Sequence, residues 1–125
     1  MNTLRTLAHH EREAYLNTLK DLVGLESPTH NKSANDNVAD YLEGILKKDA
    51  WAVERLKQTE VGDQIVARQE SSGNISTLIL CHFDTVWELG TLEQMPLREE
   101  NDKLFGPGVL DMKAGITTAI HALRI

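Results

Sequence analysis

Residues 77–86 read Thr77-Leu78-Ile79-Leu80-Cys81-His82-Phe83-Asp84-Thr85-Val86. The first half is an unbroken apolar run, preceded by the turn sequence Ser71-Ser72-Gly73-Asn74. Its length and boundaries are those of a central strand buried on both faces. The chain then turns polar, at the end of the strand where open α/β sheets place their ligands. In extended backbone, residues i and i+2 share a face, so His82 and Asp84 can touch. A carboxylate there accepts the proton of one ring nitrogen and leaves the other free for a metal. On the triplet alone, a strand-end histidine hydrogen-bonded to an Asp that caps a turn is the plainer reading.

Upstream, Tyr15, Leu19, Leu22 and Val23 fall at i, i+4, i+7 and i+8, the stripe of an amphipathic helix. Gly24 supplies its stop and Pro28 blocks continuation. A second helix is expected from about Ser33, with Asp36 three residues on as a weak capping box. Val38, Leu42 and Ile45 form its buried stripe, and Lys47 and Lys48 suit its last turn. Trp51 and Val53 then alternate with Ala52 and Glu54, and Val61-Gly62-Asp63 reads as a turn before a short strand at residues 65–68.

Downstream, Leu97 and Arg98 pair naturally with Leu104 and Phe105 in a small hairpin around Asn101-Asp102. Gly106-Pro107-Gly108 is a rigid turn. A helix from about Met112 carries Ile116, Ala119, Ile120 and Leu123 and reaches Ile125 with no glycine, proline or polar stop, as though cut in mid-element. Asp111, between turn and helix, reads most simply as an N-cap. Lys113 sets a cation against the positive end of the helix dipole, which a nearby anion or a substrate carboxylate rationalises; a solvated lysine is the plainer reading.

Thirteen Lys plus Arg against nineteen Asp plus Glu leave a net charge of −6, which argues against nucleic acid or an anionic membrane as partner. The apolar share of 41% suffices for a packed core, and the longest apolar run is too short to span a bilayer. The N-terminus lacks the continuous apolar core of a secretion signal, so the expected location is cytoplasmic. A single cysteine, Cys81, excludes an internal disulfide framework and a multi-cysteine zinc site. It reads as core, and His9, His10, His30 and His121 read as surface or loop histidines.

Several active-site types are excluded directly. His10-Glu11-Arg12-Glu13-Ala14 begins like a helical zinc-protease motif but ends on alanine where the second histidine belongs. Asp111 occupies the place of the third glycine of a dinucleotide fingerprint, and Pro107 has no N–H for phosphate. Cys81 and His82, as neighbours on a strand, face opposite sides. No G-x-S-x-G occurs.

Residues 80–113, with HFDTV at 82–86, the GPG turn at 106–108 and DMKAG at 111–115, resemble the dinuclear zinc hydrolases of the aminoacylase, acetylornithine deacetylase and glutamate carboxypeptidase family. The intervening WELG, PLR and NDKLFG segments fit as well, as do two helices followed by short strands, so the resemblance covers nearly the whole chain. It implies an α/β fold, the N-terminal part of a zinc-exopeptidase-like catalytic domain with a mixed β-sheet flanked by helices, spanning residues 1–125. It implies that His82 binds one zinc ion, that Asp111 bridges two, and that Asp84 belongs to the catalytic machinery by orienting His82. Zinc is the implied cofactor, with cobalt as an alternative. A small peptide or N-acyl amino acid is the implied substrate and a homodimer the implied assembly of the longer protein. Pro107 stands where many relatives carry Arg, a form nearest the glutamate carboxypeptidase branch. The family's general-base glutamate, remaining ligands and lid domain lie further on than Ile125, so the 125-residue chain is expected to be inactive alone. The rival expectation is a non-enzymatic remnant serving at most as a binding or interaction module.

Overall fold

Two long helices form where the apolar stripes predict them. Helix α1 (Thr3–Gly24) buries Thr18, Leu19, Leu22 and Val23. Helix α2 (Lys32–Lys48) buries Ala34, Asn35, Val38, Ala39 and Leu42 and ends on Lys47 and Lys48. Its N-cap is Asn31 rather than Ser33: the Ala34 N–H donates to Asn31 Oδ1 at 3.0 Å. Asp36 instead takes up Lys32 and the backbone N–H of Asp63, so the expected capping box does not form. The computed structural model describes residues 3–70 and 76–125, and the turn expected at residues 71–74 lies outside them.

Strands β1 (Ala52–Leu56) and β2 (Gln64–Arg68) pair antiparallel, with Val53 opposite Ala67 and Arg55 opposite Ile65. This ribbon is tied to α2 by Asp63, a buried carboxylate that accepts from Lys32 Nζ, Arg55 Nε and Lys57 Nζ at 2.8 Å each and from the Gln58 N–H at 3.0 Å. The Lys32 and Lys57 ammonium groups, the Gln58 N–H and the Arg55 guanidinium hold its carboxyl far below the usual carboxylate range, against the effect of burial.

After a short helix α3 (Thr91–Gln94), strands β3 (Arg98–Glu100) and β4 (Lys103–Phe105) form the expected hairpin. Its turn residues Asn101 and Asp102 both have positive φ, 51° and 59°, the conformation that Asn and Asp tolerate in tight hairpins. An irregular turn at Val109–Lys113 leads into helix α4 (Ala114–Ala122), which begins later than Met112 because Asp111 and Met112 are non-helical. The core is Leu22, Val38, Leu42, Ile116 and Ile120, with Phe83 packed against it. Each such side chain contributes roughly 1.5–3 kcal/mol when removed from water. Among the described residues, no helix is long and apolar enough to cross a membrane.

The α/β class holds, and among the described residues the strands form two separate two-stranded antiparallel ribbons rather than one mixed sheet. The run at residues 77–81 is no strand, and Leu78 and Leu80 are about four-fifths exposed, at 81% and 80%. Extended backbone becomes a strand by pairing its N–H and C=O groups, and among the described residues none pairs with this run through the backbone. Cys81 is accordingly exposed rather than core. His121 departs in the opposite direction. It is buried between α4 and α1, where Glu11 Oε2 meets Nδ1 at 2.8 Å and Thr18 Oγ1 meets Nε2 at 3.0 Å. A histidine satisfied on both nitrogens can enter an interface that an unpartnered one cannot.

Candidate metal centre

The polar half of the 77–86 stretch is held by a second segment, Ser27-Pro28-Thr29. Pro28 forms a parallel bridge with Thr85. The Thr85 N–H donates to Ser27 O at 2.7 Å and the Thr29 N–H to Thr85 O at 3.0 Å. The fully buried Ser27 hydroxyl donates to Phe83 O at 2.7 Å. Pro28 favours extended backbone in itself and in the residue before it, which suits this strand-like pairing. From α2, the buried Asn35 Nδ2 donates to Pro28 O at 2.7 Å and to Asn31 O at 2.9 Å.

Thus fixed, Phe83 turns inward onto the core while His82 and Asp84 share the outer face, as extended backbone requires. His82 Nδ1 lies 3.1 Å from Asp84 Oδ1 and 3.2 Å from the Asp84 carbonyl oxygen. Both are acceptors, so Nδ1 carries the proton in this contact and Nε2 is the nitrogen turned elsewhere. It meets Asp111 Oδ1, likewise an acceptor, at 3.0 Å, so this contact too is a hydrogen bond only with a proton on Nε2, one that a metal bound there would displace. Partial burial opposes the charge on His82, yet the Asp84 carbonyl and the Asp111 and Asp84 carboxylates outweigh it and raise the imidazole's pKa.

Asp111 reaches this position through the glycine turn. Gly108 has φ +71°, and a Cβ there would lie 2.7 Å from Thr85 Cγ2. The missing side chain lets the turn pack directly on the bridged segment at Thr85. The His82 N–H donates to Met112 Sδ at 3.4 Å, and the Asp111–Met112 peptide is cis. Asp111 does not cap α4: no side-chain cap bond exists there, and its side chain is 84% exposed.

Lys113 is buried, not solvated. Its ammonium donates to Leu25 O at 2.6 Å, and burial lowers its pKa to about 8, partly offset by the nearby Glu26 carboxylate. Glu26 accepts from the Gly90 and Leu92 N–H groups at 2.8 Å each, at the start of α3, and these bonds hold its pKa low. Lys113 therefore props the loop after α1 from beneath rather than facing a substrate.

The three residues singled out in the sequence converge. Ser27, Thr29 and Glu26 were not legible there, since their partners lie more than 50 residues away. The only local signal was the extended bias that Pro28 imposes. An imidazole nitrogen and a carboxylate at one point are a hard-to-borderline donor pair suited to zinc. His82 and Asp111 therefore fit one edge of a metal site, although no group of three or more His, Cys, Asp or Glu is arranged to hold an ion among the described residues. A cleft of about 580 Å³ shares Thr29 and Thr85 with this site and is also lined by His30, Asn31, Lys32 and Val86.

Residues 78–125 match the sequence pattern of the peptidase family M20/M25/M40. The chain is 35% identical over 126 residues to carboxypeptidase G2 of Pseudomonas sp. (strain RS-16), covering 99% of this chain and 30% of that protein. It is 34% identical over 84 residues to a Mycobacterium tuberculosis protein provisionally named succinyl-diaminopimelate desuccinylase, covering 67% of this chain and 22% of that one. A similar relative from Staphylococcus aureus, also named a probable succinyl-diaminopimelate desuccinylase, is 31% identical over 109 residues, 84% of this chain and 26% of its own length. The chain thus spans between about a fifth and a third of the curated relatives it matches. Residues 78–125 thus carry the sequence pattern of the peptidase family M20/M25/M40, and nearly the whole chain is similar to one of these hydrolases.

Proposed function

We propose that the protein is a zinc-dependent hydrolase of amide or peptide bonds, of carboxypeptidase or N-acyl-amino-acid deacylase type, with cobalt as a possible substitute metal. In this reading residues 1–125 are the N-terminal part of its catalytic domain, His82 and Asp111 are metal ligands, and Asp84 orients His82. The observation that supports it is the meeting of His82 Nε2 with Asp111 Oδ1 at 3.0 Å, while Asp84 occupies the other ring nitrogen. A carboxypeptidase and a desuccinylase both cleave an amide in a molecule bearing a free carboxylate, which is the substrate class proposed here.

This chain's own residues would act as follows. Asp84 keeps the proton on Nδ1, so that the Nε2 lone pair is presented outward and strengthened as a donor. Asp111, mostly exposed on its turn, would hold the metal through its carboxylate, whose Oδ1 lies beside His82 Nε2. Zinc bound there would supply a Lewis acid for the scissile carbonyl and a water acidified toward neutrality. Zinc takes four donors and His82 with Asp111 supply two, so the 125-residue chain alone is expected to show no hydrolysis.

The test is metal content and turnover of the intact protein against short peptides and N-acyl amino acids, with Asp111→Ala beside it. Zinc loading and hydrolysis should be lost together in the variant. A full complement of zinc with normal turnover in Asp111→Ala would refute the assignment.

A further inference from the structure

We infer that Thr29 is a positioning residue for the metal centre: its hydroxyl locks the Asp84 carboxylate in the orientation that holds the His82 ring. The inference rests on the proposed role of His82 as a metal ligand. Thr29 lies outside residues 78–125, the part of the chain that matches the family pattern.

The geometry separates the two oxygens of Asp84. Oδ1 faces His82 Nδ1 at 3.1 Å, and Oδ2 accepts from Thr29 Oγ1 at 2.7 Å. The hydroxyl has one proton and two acceptors in range, and Oδ2 is closer than Thr85 O at 3.2 Å. A hydroxyl-to-carboxylate bond of this length is charge-assisted and among the stronger hydrogen bonds. A carboxylate with one oxygen bonded can still swing about χ2, a broad torsion with no sharp minima. With both oxygens bonded to groups on different segments, that rotation is stopped.

Thr29 can serve as such an anchor because its own backbone is fixed. Its N–H donates to Thr85 O, and the adjacent Pro28 carbonyl accepts from the buried Asn35. A relay therefore runs from α2 through Thr29 and Asp84 to His82 and so to the Nε2 atom that faces Asp111. Its side-chain link can be cut without touching the backbone pairing. Thr29→Val keeps the β-branch, the volume and the N–H, and removes the hydroxyl alone.

The experiment measures zinc affinity of the intact protein by competition with a chromophoric chelator, together with urea midpoints, for wild type, Thr29→Val, Thr29→Ser, Asp84→Asn and the double variant Thr29→Val with Asp84→Asn. Thr29→Val should weaken zinc binding by about 3–10-fold, less than the roughly 10–100-fold typical of an outer-shell partner lost outright. Thr29→Ser, which restores the hydroxyl, should return affinity to within about twofold of wild type. In the Asp84→Asn background, Thr29→Val should add little, since a residue acting through Asp84 loses its lever once the charge is gone. Wild-type affinity in Thr29→Val beside a weakened Asp84→Asn would overturn the inference, and so would a Thr29→Val loss that persists undiminished in the Asp84→Asn background. His82→Ala tests the underlying reading separately: unchanged zinc affinity in that variant removes His82 as a ligand, and the role of Thr29 falls with it.

Discussion

Gly108→Ala is the substitution whose cost follows most directly from the geometry. Two penalties combine. At φ +71° an L-residue with a Cβ is strained by roughly 1–2 kcal/mol. The new Cβ would also stand 2.7 Å from Thr85 Cγ2, well inside the ~3.5–4.0 Å at which carbon atoms rest. Thr85 cannot retreat easily, because its N–H and C=O are bonded to Ser27 and Thr29 on either side and it is almost fully buried. Overpacking of this kind costs about 1–3 kcal/mol. The sum is about 2–5 kcal/mol, a large part of the stability of any small domain.

The steric share can be isolated. Thr85→Ser removes Cγ2 and keeps the hydroxyl, so Gly108→Ala in that background should retain only the backbone penalty of roughly 1–2 kcal/mol. Urea denaturation of wild type, both single variants and the double variant gives the coupling energy, expected at about 1–3 kcal/mol. A Gly108→Ala variant within about 0.5 kcal/mol of wild type would refute the close approach of the turn to Thr85. So would a penalty that is just as large when Thr85 is serine.

Three further outcomes are expected. Asp84→Asn should fold normally and lose about 10–100-fold in zinc affinity or turnover in the intact protein; wild-type values would make Asp84 an ordinary turn residue. Asp63 has its pKa depressed in the folded state, so its contribution is fully present above the ordinary carboxylate value near ~4 and is lost as pH falls below it toward the folded value. Urea midpoints between pH 7 and pH 3 should drop more steeply for wild type than for Asp63→Asn, and parallel curves would contradict the assignment. Finally, Leu78, Leu80, Val86 and Leu110 are each at least 80% exposed, an apolar surface that should drive self-association of the 125-residue chain. Light scattering after size-exclusion chromatography should report species heavier than 14.0 kDa, and a sharp monomer would count against it.

What the sequence made legible was local. The stripes of α1 and α2, the Asn101-Asp102 hairpin and the same-face pairing of His82 and Asp84 all follow from periodicities of 3.6 and 2 or from turn chemistry. What it hid was non-local. A residue's burial depends on what lies against it, and neither the exposure of residues 78–80 nor the burial of His121 and Lys113 is written in its neighbours. Lys113 is the clearest case. Its place at the head of α4 suggested a charge in need of an anion, whereas the chain gives it the Leu25 carbonyl 88 residues upstream. A buried lysine with one short hydrogen bond costs less than the same charge unpaired, and here it fastens the loop after α1 to the turn that carries Asp111.

That fastening bears on how an exposed site keeps its shape. His82 and Asp111 are half and mostly accessible, at 50% and 84%, so neighbouring side chains do little to hold them. Their alignment is stored instead in backbone contacts one layer down: the bridge between Pro28 and Thr85, the Gly108 turn seated on Thr85, and Lys113 gripping Leu25. Thr85 takes part in the first two. It is bonded to residues 27 and 29 through its backbone and pressed by the glycine turn through its methyl group, so it fixes the distance between the segment that presents His82 and the turn that presents Asp111. Exposure at His82 and Asp111 and rigidity at Thr85 are thus complementary: in the proposed metal site the first would leave room for an ion and for further ligands, and the second supplies the preorganisation that exposed side chains cannot supply for themselves.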